Sequence, residues 1–411
     1  MTSGTSSSPQ LSAFRHTPYL IYWLSRSVAV FAAQIQITAL GWQVYDATES
    51  AFLLGLIGLS QFLPALLLVL VTGAVADRAP RRLIMTICMM SMAGVAGSFL
   101  IYTVSGSQIV WILFGLLVIF GTARAFMGPA VQALLPNIVP PALLSKAIAL
   151  NSSAWQLATI IGPVAGGLLY GLSPVAAYLA ATVLMGLAAL LTFFIPKPDQ
   201  HRESEPRSWD TILAGFKYIW KEKIVLGAIS LDLFAVLLGG AVALLPVFAR
   251  DILEVGPVGL GLLRAAPGIG AIAVAIYLAT RSIKDHAGLF LFVFVAVFGV
   301  MIVVFGFSEL AWVSILALMF AGGADMISVY IRETLIQLWT PDRLRGRVNA
   351  VNMIFIGASN ELGEFRAGVA AAMIGAKATV VLGGAGTLAV AAIWAKLFPE
   401  LRKARHLGGR P

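Results

Sequence analysis

Twelve apolar runs dictate what this chain can become. They cover residues 19–45, 50–76, 81–104, 107–128, 146–170 and 173–195. After a charged interval come 224–249, 257–280, 287–307, 309–332, 347–373 and 376–397. A run of about 20 apolar residues matches the hydrocarbon thickness of a bilayer. Backbone in contact with lipid must satisfy its own hydrogen bonds, so each run is expected to be an α-helix. The reading is an all-α polytopic membrane protein with 12 transmembrane helices in two six-helix bundles. Composition excludes the soluble alternative: charged residues are 11% of the chain and apolar ones 59%, where a soluble domain carries about a quarter charged.

The expected organisation is a bundle at 1–195, a cytoplasmic linker at 196–223, and a second bundle with a tail at 224–411. In the linker, Trp209, Ile212, Leu213, Phe216 and Trp220 recur at helical spacing, with Lys217, Lys221 and Lys223 beside them. That pattern reads as an amphipathic helix lying at the cytoplasmic interface. With the N-terminus inside, Arg250 and Lys377 are the two basic residues on the far side. Arg26, Arg124, Arg264 and Arg366 lie within runs, and the rest of the 28 fall in cytoplasmic segments. Both termini are therefore expected in the cytoplasm. The net charge of +9 then marks topology and calls for no nucleic-acid partner. The single cysteine, Cys88, and histidines at 16, 201, 286 and 406, all outside the runs, argue against a metal site. The Ser/Thr-rich start leads straight into a full-length run, so no cleavable signal peptide is expected.

Between the second and third runs lies Gly73-Ala-Val-Ala-Asp77-Arg78-Ala-Pro80-Arg81-Arg82. Asp77 can accept hydrogen bonds from these arginines or face a helix N-terminus, which would latch two helices together. The plainer alternative is that the arginines only mark the cytoplasmic side. The spacing resembles the loop between helices 2 and 3 of major facilitator superfamily transporters, with Pro80 where that family usually has Gly. At an offset of 200 residues, the stretch starting at Pro141 matches the one starting at Pro341, as a duplicated bundle would. The counterpart of the Gly73 loop has Thr280 opposite Asp77, so a second latch should be weak or absent. Parallel halves of this kind place a binding site near the midplane.

Ionisable groups inside a bilayer are costly, so each is a functional candidate. Run 1 holds Arg26, Gln34 and Gln36; run 4 holds Arg124; run 7 holds Asp232. Run 8 holds Arg264, run 10 Asp325, and run 11 Glu361, Glu364 and Arg366. Arg124 resembles the helix 4 arginine of proton-coupled family members, and the resemblance implies that it shares a cavity with Asp325. Either the two couple substrate and proton, or they form a static ion pair. Glu361 and Glu364 are neighbours on one helix face and should not both ionise easily. They are either a proton carrier or a structural hydrogen-bonded pair, while Arg366 points elsewhere. Asp232 is a proton carrier or a polar cavity contact. Arg26 with Gln34 could hold an anionic substrate; otherwise Arg26 pairs with Asp232 or Asp325.

Run 5 carries Gly162-Pro163-Val-Ala-Gly166-Gly167. Its small-xxx-small face permits close helix approach and its proline bends the rod. Packing alone would account for it, but it also resembles the helix 5 motif of the antiporter branch. Stretches at 232–251, 324–328, 342–349 and 360–365 together resemble enterobactin-exporter-like drug:proton antiporters. The resemblance implies a bacterial cytoplasmic-membrane exporter of siderophore-like or drug-like small molecules in exchange for protons. It further implies alternating access; the expected energy source is the proton gradient with no cofactor, and the expected state is a monomer. A broad multidrug or macrolide exporter is the rival within the class. A transport-inactive receptor or scaffold is the rival outside it. The chain has no Ser/His/Asp set, no H-E-x-x-H spacing and no phosphate loop, so neither an enzyme nor direct use of ATP is expected.

Overall fold

The computed structural model describes residues 11–196, 209–281 and 285–404. Most of the predicted linker ahead of Trp209, and the Ser282–Lys284 part of the loop opposite Asp77, lie outside the described residues. Among those described, every regular element is helical. Short turns apart, they begin with α1 (Thr17–Thr48), α2 (Ala51–Leu67, resumed as Val69–Arg78 after a break at Leu68), α3 (Arg81–Val104) and α4 (Val110–Ile138). Then come α5 (Leu144–Leu172), α6 (Pro174–Phe193), a linker helix (Trp209–Lys221) and α7 (Lys223–Gly239, continued by short turns to Ile252). The last five are α8 (Gly256–Thr280), α9 (Ala287–Phe307), α10 (Ala311–Trp339), α11 (Asp342–Ile374) and α12 (Ala376–Leu397). Ten of these stretches are long and apolar enough to cross a membrane. The others are the short linker helix, α2, which is interrupted, and α11, which carries charged residues along its length.

The chain divides into two compact units. One takes the residues up to Ala39 and Leu63–Pro206; the other takes Leu40–Phe62 and Arg207 onward, the linker helix included. The change of membership falls within α1 and α2, so the ends of both helices and their turn belong with the second unit.

In the first unit α3 is the central rod. Met85, Met89, Met92, Ala96 and Phe99 recur at helical spacing and are buried, the pattern of a single inward stripe. Tyr178, Ala181, Met185 and Ala188 form the buried stripe of α6, and Phe99 and Tyr178 stack at 5.9 Å between the two. The lone thiol, Cys88, is also buried in this rod. Apolar side chains gain little by leaving lipid for protein, so directional contacts must add to packing. Ser25 Oγ of α1 donates to the Ala188 carbonyl at 2.8 Å, and Tyr19 Oη donates to Ala147 O at 3.1 Å.

In the second unit, Ile224, Ala228, Leu231 and Ala235 of α7 face Leu291, Phe292 and Val295 of α9, with Ile331 and Leu335 of α10 and Val390 of α12 closing the core. The linker helix spans Trp209–Lys221. Its Ile219 is buried among Val225, Ile229, Ile336, Val348 and Val351, and Phe216 meets Phe355 edge-on. Lys217, Lys221, Lys223 and Trp220 are exposed, and Tyr218 Oη donates to the Trp339 carbonyl at 2.7 Å. The side chains of Trp209, Ile212 and Leu213 lie outside the described residues.

At the turn before α10, Glu309 accepts from Lys377 of α12 at 2.6 Å. Lys377 holds the Glu309 carboxyl below the usual carboxylate range. A depressed carboxyl stabilises the fold above its ordinary titration range, and that contribution is lost as pH falls through the folded-state value. Both groups are exposed, so the effect is small and salt-sensitive. Thermal unfolding of Lys377→Gln in detergent should show a slight loss at neutral pH. The difference from the parent should shrink as pH falls below the ordinary carboxylate range and in high salt.

Candidate functional site

In the first unit, the stretch from Gly73 to Arg82 ties itself to neighbouring helix ends. Arg81 Nη1 donates to the Ala133 carbonyl of α4 at 2.9 Å, and Arg82 Nη2 donates to the Phe193 carbonyl at the end of α6 at 2.5 Å. The second of these is a cation at a helix C-terminus, where orphan carbonyls and the helix dipole both favour it. Gly73 is buried and Arg78 exposed. The Asp77 side chain lies outside the described residues.

The glycine motif of α5 lies against α1. A Cβ on Gly162 would stand 2.5 Å from Gln34 Cβ, and one on Gly166 would stand 2.9 Å from the Ile35 carbonyl oxygen. Pro163 and Gly167 are buried in the same helix. Gln34 therefore touches the motif through its stem, and its backbone carbonyl accepts from Thr38 Oγ1 at 2.8 Å. Arg26 Nη1 donates to Tyr22 Oη at 3.2 Å, one turn away on α1. Gln36 is buried, and its Oε1 has no hydrogen-bond partner among the described residues. Arg124 is exposed on α4.

The second unit collects the acidic groups. Asp232 of α7 is ion-paired with Arg332 of α10, and the arginine is only 3% exposed. Arg332 Nε lies 4.0 Å from Glu333, which accepts from Asn352 Nδ2 of α11 at 2.9 Å. Among the described residues the ion-pair partner of Asp232 is thus Arg332. The apolar run stops at 332, and hydropathy alone therefore puts this arginine on the cytoplasmic side. In the structure α10 continues to Trp339, and Arg332 is buried inside the bundle. Its position seven residues after Asp325 and four after Ser328 is the signal in the sequence, since those intervals share one helix face. Asp325 and Ser328 join Asp232, Ala235 and Val236 of α7 and Val295 and Phe298 of α9 around a cavity of about 10 Å³.

A second acidic cluster forms where α11 meets the Leu40–Phe62 hairpin. Measured to the position a Cβ would take on Gly58, Glu361 Oε2 is at 2.7 Å and Glu364 Oε2 at 3.0 Å. The two carboxyls converge over the gap that glycine leaves. Arg264 of α8 lies within electrostatic reach of Glu364. Close approach continues along the pair: a Cβ on Gly55 would stand 3.0 Å from Gly368 Cα, and Phe52 meets Phe365 edge-on at 6.1 Å.

Arg366 has a different task. Helix α7 stops at Gly239, and Gly240 turns extended. Arg366 Nε donates to the Leu237 carbonyl at 2.9 Å and Nη2 donates to Leu238 O at 2.6 Å. These are last-turn carbonyls that a helix break leaves without backbone donors, and lipid supplies none. Beyond the break, Tyr45 Oη donates to Asp251, while Arg250 lies over the Tyr45 ring and pairs with Asp46 at 3.4 Å and Glu49 at 3.1 Å.

Long apolar helices with charged side chains clustered inside them, folded as transporters are, define a membrane transporter of the major facilitator type. The fold aligns with that of a bacterial homologue of the human lysosomal transporter Spinster, in an inward-facing and unoccupied conformation. That alignment has a TM-score of 0.73, 13% identity, and coverage of 97% of this chain and 99% of the other. A mutant form of the nucleoside transporter NupG aligns at TM-score 0.74 and 12% identity, covering 93% of this chain and 100% of the other. The chain belongs to the transmembrane secretion effector family, whose model matches residues 8–407. Among its relatives is the enterobactin exporter EntS of Shigella boydii serotype 4 (strain Sb227), 24% identical over 409 residues, covering 95% of this chain and 94% of that protein. EntS of Citrobacter koseri is 25% identical, with the same coverage. The protein is a transporter and not an enzyme.

The two glycine contacts should respond differently to alanine. At Gly166 the obstacle is α1 backbone, which cannot yield, so Gly166→Ala should cost about 1–3 kcal/mol by overpacking. At Gly58 the obstacles are the ends of flexible carboxylate side chains, so Gly58→Ala should stay near the parent. Thermal unfolding of both variants in detergent separates the cases.

Proposed function

We propose that this transporter exports small organic molecules, siderophore-like or drug-like, in exchange for protons. In this reading the chain crosses a bacterial cytoplasmic membrane twelve times with both termini inside. The ten long apolar stretches make up most of the count, and the interrupted α2 and charged α11 complete it. Alternating access comes from the bundles at 1–195 and 224–411 rocking against each other, with the binding site near the midplane. The relatives named as enterobactin exporters support the outward direction.

The observation that carries the proton reading is the grouping of acidic side chains inside the later helices. Asp232 and Asp325 share a cavity on α7 and α10, and Glu361 and Glu364 converge on α11. Carboxyls withdrawn from water can exist in charged or neutral form at modest cost difference, which is what a proton carrier requires. Arg366, bound to backbone carbonyls, supports the shape of α7 in this scheme. Arg26, Gln34 and Arg124 are assigned to the substrate. The proton gradient is the energy source, and whatever couples the two flows must bind the two access states with different affinity.

Everted membrane vesicles carrying a pH-sensitive dye test the reading, with enterobactin as a siderophore probe and ethidium as a cationic drug probe. Addition of a transported probe should move protons, and a protonophore should abolish uptake; uptake that persists unchanged under the protonophore would remove antiport. In the same vesicles Arg124→Ala should abolish probe uptake while expression and thermal stability match the parent. Full uptake by that variant would take Arg124 out of the mechanism.

A further inference from the structure

Helix α10 presents Asp325, Ser328 and Arg332 on one face, and that face is turned to α7. Two acids meet there in different circumstances. Asp232 is ion-paired with the buried guanidinium of Arg332. Asp325 has no ion pair among the described residues, yet it lines the same cavity as Asp232. The volume of about 10 Å³ is close to what one water molecule needs, and two carboxyls with a serine hydroxyl supply its polar partners.

The charged groups packed around this point are few. On α10, Glu333 lies 4.0 Å from Arg332 and is held by Asn352 of α11. From α9 the cavity receives Val295 and Phe298, both apolar. The arginine of α8, Arg264, lies within electrostatic reach of Glu364 on α11. A carboxylate beside a buried guanidinium is held charged, because separating either from the other strands a charge. A carboxylate without such a partner is costly away from water. The cation therefore makes two chemically identical acids unequal.

We propose that Arg332 is a positioning residue for proton coupling: it fixes Asp232 as a carboxylate and so makes Asp325 the group that takes up and releases the proton, through a water in the cavity between them. This rests on the antiport reading above and names its proton site. In the loading step a hydronium ion gives its proton to the Asp325 carboxylate, leaving the carboxylic acid and one water. Release is the reverse, and no other reactant enters.

The test needs only the proton as ligand. The full-length protein in lipid nanodiscs is titrated between about pH 5 and 9 while infrared difference spectra follow protonated carboxyl groups. Asp325→Asn should remove one titrating component, and Asp232→Asn should leave it present. In Arg332→Gln the two carboxyls share the cavity without their cation and hold a proton more tightly. The component should then move upward by about one pH unit or more, and Arg332→Lys should restore most of it. A component removed by Asp232→Asn and retained in Asp325→Asn overturns the proposal, as does an unshifted component in folded Arg332→Gln. If Arg332→Gln does not fold, the charge-neutral pair Asp232→Asn/Arg332→Gln decides: it should keep the Asp325 component, and its loss overturns the assignment. Protonophore-insensitive transport would end the antiport reading and leave this titration as expected. A failed titration alongside protonophore-sensitive transport would end only the assignment to Asp325 and Arg332.

Discussion

Everything in this molecule is arranged around groups that water would normally satisfy and lipid cannot. The clearest case is the guanidinium of Arg366, which reaches from α11 to the carbonyls of Leu237 and Leu238. Without it, the end of α7 would leave acceptors bare at a depth where each costs several kcal/mol. A discontinuous helix in a membrane is stable only when some neighbour replaces the missing backbone donors, and here a charged side chain does so with two hydrogen bonds. The same logic places Arg332 against Asp232 and Arg82 at the end of α6. In each case the cation sits where an unmatched negative partner already exists.

The second constraint is distance. Helices in lipid gain little from burying leucine against leucine, so they are held by proximity of backbones and by specific polar contacts. Gly162 and Gly166 let α1 lie on α5, and Gly55, Gly58 and Gly368 let the Leu40–Phe62 hairpin lie on α11. These approaches also decide where functional side chains end up. Gln34 is positioned by contact with Gly162, and the Glu361 and Glu364 carboxyls occupy the gap above Gly58. The packing device and the chemical site are built from the same residues.

Much of this is readable from residue order. Hydropathy runs locate the helices because the bilayer enforces both length and secondary structure, and the Gly162–Gly167 spacing announces a close helix face. What residue order conceals has physical causes. Hydropathy puts Arg332 in the cytoplasm because it marks where apolar residues stop, whereas α10 continues as a helix for two more turns, to Trp339. The bonds of Arg366 join residues more than a hundred positions apart, and no local pattern encodes such a partner. Nor does composition tell a glycine that packs from one that ends a helix: Gly239 and Gly240 look like the other glycines of these runs, yet α7 stops there.

The single thiol has a practical consequence. Cys88 is 5% exposed on α3, at the edge of an apolar cleft lined by Ile84 and Ile87 of α3 and Val118, Ala123 and Phe126 of α4. A thiol so little exposed in apolar surroundings should react slowly with hydrophilic maleimides in the native protein. A cysteine introduced at any exposed site becomes a unique chemical handle without first removing a native one. Distances across the transport cycle can be followed by attached spin labels or fluorophores in what is otherwise the natural sequence.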